Sequence, residues 1–181
     1  MKKNTVKQAM IPIANYVTVK NEDNLVDVLQ ALEEARESQE SRAHRDAIVV
    51  NDKGTFLGKI TMIDIFRALE PNYKHVLKQK EKGFLTNDFV RNAVKDFLIW
   101  MEPARSICER GSQLKVVEVM HTPERFEYID ESDTLEKAMA LYVMGVHQPL
   151  IVRNGKEVTG LLRFGDVFEF VRENLLSCTD Q

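Results

Sequence analysis

One block, in the order apolar strand, helix, two apolar strands joined by a turn, and helix, occurs twice in this chain and restricts its fold more than any other feature. Residues 47–66 align with 149–168 without a gap, which sets Gly58 beside Gly160, Thr61 beside Arg163 and Asp64 beside Asp166. Residues 6–10 align in the same way with 116–120, Asp23 with Asp133, and Leu25 with Leu135. Self-similarity at a fixed spacing marks one supersecondary unit used twice. It points to a paired binding module rather than a one-site enzyme.

Composition narrows the partners. The 181 residues suffice for a sizeable core, in one body or two intimate halves. Lys plus Arg number 25 against 28 Asp plus Glu, a net charge of −3, so no broad positive field draws the chain to nucleic acid. Cys108 and Cys178 show no CxxC or metal-ligand spacing, and no secretory apolar segment is seen; a reducing cytoplasm is the expected location. No apolar run nears the roughly 20 residues needed to cross a bilayer, so no direct membrane insertion is expected.

Within repeat one, residues 16–19 read as a strand, and Asp23 as the N-cap of a helix whose apolar face is Leu25, Val28, Leu29 and Leu32. Residues 33–45 are almost wholly polar or charged and account for eight residues that repeat two lacks. Two strands then flank the turn residues 51–54, and Ile63, Phe66 and Leu69 begin a closing helix that ends at Pro71. In repeat two the matching parts are a strand at 126–129, a cap at Asp133 with Glu136 behind it, a helix over 135–144 ended by Gly145, a turn at Asn154 and Gly155, and a helix from Asp166 to about Leu176. Between the repeats, apolar residues at helical spacing over 87–101 predict an extra helix, packed on the module or serving as a partner surface, with Trp100 as its natural probe. The expected division is repeat one over 1–70, a helical insert over 71–113 and repeat two over 114–181.

Chemistry concentrates at two strand-to-helix junctions, Gly58–x–x–Thr61–x–x–Asp64 and Gly160–x–x–Arg163–x–x–Asp166. A helix N-terminus offers unpaired N–H groups and partial positive charge, which suit a phosphate. A preceding glycine lets backbone approach a ligand closely. An Asp there repels a phosphate, so its ligand role is to accept hydrogen bonds from neutral hydroxyls such as a ribose diol. The competing interpretation is that Thr and Asp at this spacing form a capping box that serves only the helix.

These residues, in this order and repeated, resemble the cystathionine-beta-synthase (CBS) domain, which occurs as tandem pairs called Bateman modules. The resemblance rests on Val6 and Met10, Val116 and Met120, the Asp-x-Leu pairs, the Gly58/Thr61/Asp64 motif, and Gly145-Val-x-x-Pro149 before an apolar strand and Asn-Gly155. It implies an α+β fold of two βαββα repeats in a pseudo-twofold pair, with the insert as an added helix. It also implies two clefts between the repeats for an adenosine-containing ligand: AMP, ADP, ATP or S-adenosylmethionine. In the first, Asp64 would hold the ribose, Thr61 would meet phosphate, and Val17, Thr18 and Ala47 would line adenine. In the second, Asp166 keeps the ribose role, and Glu127, Tyr128 and Pro149 would line adenine. There Arg163 replaces Thr, free either to bind phosphate or to pair with Asp166. The family also implies a homodimer, and a sensor reading adds an unidentified regulated protein as a partner.

Other signals are set aside. The four histidines, His44, His75, His121 and His147, lack zinc-site spacing, and no metal is expected. The Lys-rich stretch 74–82 reads as solvated, and Met10, Met62, Met120, Met139 and Met144 as core filling. No nucleophile elbow, catalytic Cys signature or Walker motif is present. The expectation is a non-catalytic sensor with no required cofactor. Its rivals are a ligand-free scaffold for protein contacts and an enzyme acting on the bound nucleotide.

Overall fold

The computed structural model describes residues 5–38, 45–70, 72–73, 87–96 and 104–179. Trp100, His44, His75, Pro71 and the Lys-rich stretch 74–82 lie outside the described residues. Each repeat forms the expected βαββα unit. In the first, β2 (Thr18–Lys20) is followed by α2 (Leu25–Ser38), β3 (Ala47–Val50), β4 (Phe56–Ile60) and α3 (Met62–Leu69). In the second the counterparts are β5 (Tyr128–Asp130), α7 (Leu135–Val143), β6 (Leu150–Asn154), β7 (Glu157–Leu162) and α8 (Phe164–Thr179). Two short segments precede them, α1 (Val6–Ala9) with β1 (Ile11–Pro12), and α6 (Val116–Val119). The insert contains α4 (Asn87–Asp96) and α5 (Ala104–Gln113), with residues 97–103 outside the described set.

The repeat boundaries at 70 and 114 are not the boundaries of packing. One compact unit is 17–121 and the other joins 1–16 to 122–181. The reason lies in the leading segments, which each fold with the other repeat. Val6 is fully buried among Ile129, Leu135, Leu150, Val152 and Leu162. Its N–H donates to the Asp133 carbonyl at 2.8 Å, and β1 pairs antiparallel with β7. Val116 is likewise buried among Val19, Leu25, Val49 and Ile60, with its N–H donating to the Asp23 carbonyl at 2.9 Å. His121 then exchanges backbone hydrogen bonds with Lys59 at 3.0 and 2.8 Å, as β1 does with β7. An apolar residue leading a short helix needs a core to enter, and each finds it beside a strand of the following or preceding repeat.

Within the 17–121 unit, β2 runs parallel to β3 and β3 antiparallel to β4. Leu25, Val28, Val49 and Ile60 close its core, and α5 packs against α2 and α3. In the other unit the sheet order is β1-β7-β6-β5, with α7 and α8 bringing Leu135, Ala138, Tyr142 and Val167 onto it. Burying each such Leu or Val contributes about 1.5–3 kcal/mol.

Several local expectations are corrected. Asp23 does not cap α2: its carboxylate accepts from the Lys20 N–H at 2.7 Å and closes the turn after β2. Asp133 does the same for the Asp130 N–H at 3.0 Å, and Thr134 is the cap of α7. A carboxylate two residues before a helix can reach back to the strand end as readily as forward. In α2, Leu29 is 48% exposed, and in α3 Ile63 and Phe66 point outward while Asp64 and Ile65 face inward. Met62, Met139 and Met144 are exposed, whereas Met10 and Met120 pack against the cores. Helix α8 starts two residues before Asp166, at Phe164.

The strand registers also revise the repeat alignment. Val49 pairs with Gly58, and Val152 pairs with Gly160, so with the glycines superposed Ala47 corresponds to Leu150 rather than to Pro149. Hairpin one is one residue longer. Its tip is held by the Asn51 Oδ1, which accepts from the Lys53 and Thr55 N–H groups at 3.0 and 2.9 Å, with Gly54 at φ 74°. The tighter turn in repeat two places Gly155 at φ 62°. Left-handed backbone of this kind suits glycine, since a side chain would clash with the following carbonyl.

Candidate functional site

Strand direction gathers the residues of each candidate site at one sheet end. In the 17–121 unit, Thr18 pairs with Ile48 and Ala47 with Ile60, so the starts of β2 and β3 lie beside the end of β4. The Ile48 N–H donates to the Val17 carbonyl at 2.9 Å and extends that edge. Val17, Thr18, Ala47, Thr61 and Asp64 are thus brought together. Thr18 is exposed and Val17 half-buried, while the Ala47 side chain is wholly in the core, so only its backbone can meet a ligand.

At the junction itself, one Asp64 carboxylate oxygen, Oδ2, accepts from the Thr61 N–H at 3.0 Å and from the Thr61 hydroxyl at 2.5 Å. The other, Oδ1, lies 3.6 Å from Arg67 Nη1. Thr61 and Asp64 are 8% and 5% exposed. The capping interaction is therefore present. It engages Oδ2 of the carboxylate. Arg67 was not among the sequence candidates, although its position three residues after Asp64 on a helix is the signal that places the two together.

In the other unit, Tyr128 pairs with Ile151 and Leu150 with Leu162, which assembles Glu127, Tyr128, Pro149, Arg163 and Asp166 at the equivalent edge. Here the guanidinium chooses the acid. Arg163 Nε donates to Asp166 Oδ2 at 2.9 Å and Nη2 to Oδ1 at 3.0 Å, a bidentate fork with side chains 23% and 12% exposed. Glu127 is buried, and its Oε1 accepts from the Glu124 N–H at 3.0 Å. His147 Nδ1 lies 4.0 Å from its Oε2, a contact between residues far apart in sequence that no spacing announces. Burial, and then the negative charge of Glu127, push the Tyr128 phenol above its ordinary value, so it stays a neutral donor at physiological pH. Arg153 stacks over the same ring at 5.6 Å.

The two glycines do not make room for a ligand. A Cβ on Gly58 would stand 2.6 Å from the His121 carbonyl oxygen, and one on Gly160 would stand 2.5 Å from that of Ile11. The space is taken by the exchanged leading segments of the chain itself. Glycine is required there by backbone pairing.

Comparison with known proteins agrees with this architecture. Residues 6–71 match the family model of the CBS domain. Among curated proteins no sequence match was found. The CBS-pair protein CBSX2 from Arabidopsis thaliana is 19% identical with a TM-score of 0.60, over 95% of this chain and 96% of that one. A structure of CBSX2 in complex with AMP gives 18% and 0.59, over 94% and 97%. The CBS domain of a bacterial CNNM/CorC family Mg2+ transporter in complex with ATP gives 17% and 0.54, over 93% and 87%. The fold defines a two-repeat CBS architecture. Residues 6–71 match the CBS domain, and the chain as a whole shares the fold of CBS-pair proteins.

Proposed function

We propose that this protein is a non-catalytic regulatory module that binds an adenosine-containing ligand, AMP, ADP, ATP or S-adenosylmethionine, at its strand-to-helix junctions. The observation that carries the reading is the recurrence, in both units, of an acid on the closing helix held at the edge where three strand ends meet. Similarity to structures holding AMP and ATP supports it. In the 17–121 unit Asp64 accepts the ribose hydroxyls, the Thr61 hydroxyl turns from Asp64 to phosphate, and backbone at Val17, Thr18 and Ala47 lines adenine. In the other unit Asp166 holds ribose, Glu127, Tyr128 and Pro149 border adenine, and Arg163 meets phosphate.

The output of such a module is a change of conformation, driven by the ligand's difference in affinity between two states. Self-association of two copies belongs to the same proposal, supported by exposed apolar side chains on the helices, Ile63 and Phe66 on α3 and Phe168, Leu175 and Leu176 on α8. A cytoplasmic location and a separate regulated protein complete it. Among the described residues no helix is long and apolar enough to cross a membrane.

Asp64→Ala is expected to weaken an adenine nucleotide by about 1.5–3 kcal/mol, roughly ten- to a hundredfold, when hydroxyls lose a charged acceptor. Titration calorimetry on the folded variant checks it, and unchanged affinity removes Asp64 from the site. Loss of the cap alone would cost about 1 kcal/mol of stability and leave binding intact. The scaffold alternative is favoured by the Arg163 fork, which already engages Asp166. A panel of adenine nucleotides and S-adenosylmethionine at millimolar concentration decides between them, because a ligand that binds only the folded state raises the melting temperature.

A further inference from the structure

We infer that Arg163 makes the junction of the 1–16/122–181 unit selective for ligand charge: it accepts an adenosine compound bearing a phosphate and discriminates against the neutral nucleoside. The inference rests on the reading just given and concerns one of its two sites. Both Asp166 oxygens receive charge-assisted hydrogen bonds from one guanidinium, at 2.9 and 3.0 Å, in a setting mostly withdrawn from water. A ribose diol offers only neutral donors. It cannot replace a planar fork of two ionic hydrogen bonds without loss.

A phosphate changes that balance, because it presents the guanidinium with a second anion of matching bidentate geometry. Arg163 can then swing from carboxylate to phosphate, and Asp166 is released to accept the ribose hydroxyls. Phosphate and ribose recognition become one coupled event. The Thr61/Asp64 junction is built differently. There the residue facing the acid is a neutral threonine whose N–H and hydroxyl both donate to Oδ2, and the Arg67 guanidinium stands 3.6 Å from Oδ1 without forming a bidentate fork. That junction discriminates less between nucleotide and nucleoside.

The test follows backbone amide signals of the full chain during titration with AMP and with adenosine, reading Asp166 and Val167 for one unit and Asp64 and Ile65 for the other. In the unmodified protein the Asp166 and Val167 signals should respond to AMP at about ten- to a hundredfold lower concentration than to adenosine, the range for an ionic against a neutral partner. Arg163→Thr should bring the two ligands close to parity there, and Arg163→Lys, which keeps charge but not the fork, should fall between. Adenosine moving Asp166 and Val167 as readily as AMP in the unmodified chain overturns the inference, and so does a preference that survives Arg163→Thr. Response to AMP at Asp64 and Ile65 with none at Asp166 and Val167 also overturns it, while leaving nucleotide binding by the module standing. Silence of all four signals toward both compounds rejects the binding reading and this inference together. The comparison within the unmodified chain remains decisive if a variant fails to fold.

Discussion

Tyr142→Phe should destabilise the 1–16/122–181 unit by about 2–4 kcal/mol, although the change removes a single oxygen. The Tyr142 hydroxyl donates to the Leu162 carbonyl and accepts from the Leu150 N–H at 3.1 Å. Leu150 and Leu162 face each other at the last step of the β6–β7 ladder, and the hydroxyl bridges the two strands there. All three residues are buried, and the Phe164 ring stands edge-on to Tyr142 at 5.3 Å. Removing the oxygen therefore takes from a buried donor and a buried acceptor the hydroxyl that both of them bond. Each such group costs roughly 1–3 kcal/mol, more than the net worth of the bonds themselves. Chemical denaturation, followed by a probe in this unit, should show a lower midpoint with an unchanged slope. A midpoint shift within error would mean that the strand ends close directly on each other without the hydroxyl.

Gly160→Val should cost about 3 kcal/mol, the upper end of the usual range for overpacking, because the obstructing atoms are backbone. A Cβ at this position meets the Ile11 carbonyl oxygen at 2.5 Å and its carbon at 3.2 Å. The only relief is separation of β1 from β7, which withdraws the segment carrying Val6 from the core. Melting temperature should fall by roughly 6–12 °C for a chain of this size. Amide exchange gives the sharper signature: residues of α1 and β1 should lose protection before β6 does. Equal loss across the sheet would show that β1 is not an independent strap.

Much of the fold was legible in the sequence. The alternation of apolar strands and helices, the turn chemistry at Asn51–Gly54 and Asn154–Gly155, and the αL glycine after α7 are local properties, and local physics sets them. The sites were legible in part. Thr61, Asp64, Arg163 and Asp166 stand out because a helix start limits which residues serve there, but the choice Arg163 makes between phosphate and carboxylate depends on distances in space. Glu127 with His147 gave no sequence signal, since 20 residues separate them. Apolarity alone does not set the inward face of α3 either. Phe66 and Ile63 are apolar enough for a core, yet buried Asp64 and Ile65 take that side because the acid must reach back to Thr61.

The amino-acid order by itself determined the two βαββα units, because strand and helix periodicities and turn residues act over a few positions. It also placed the two acids at equivalent helix starts. Tertiary structure alone decided that each repeat's leading segment packs with the other repeat, that Gly58 and Gly160 admit backbone rather than ligand, and that the strands align Ala47 with Leu150. Those outcomes rest on contacts between residues distant in the chain, where burial of Val6 and Val116 and the pairing of β1 and His121 leave no mark on local pattern.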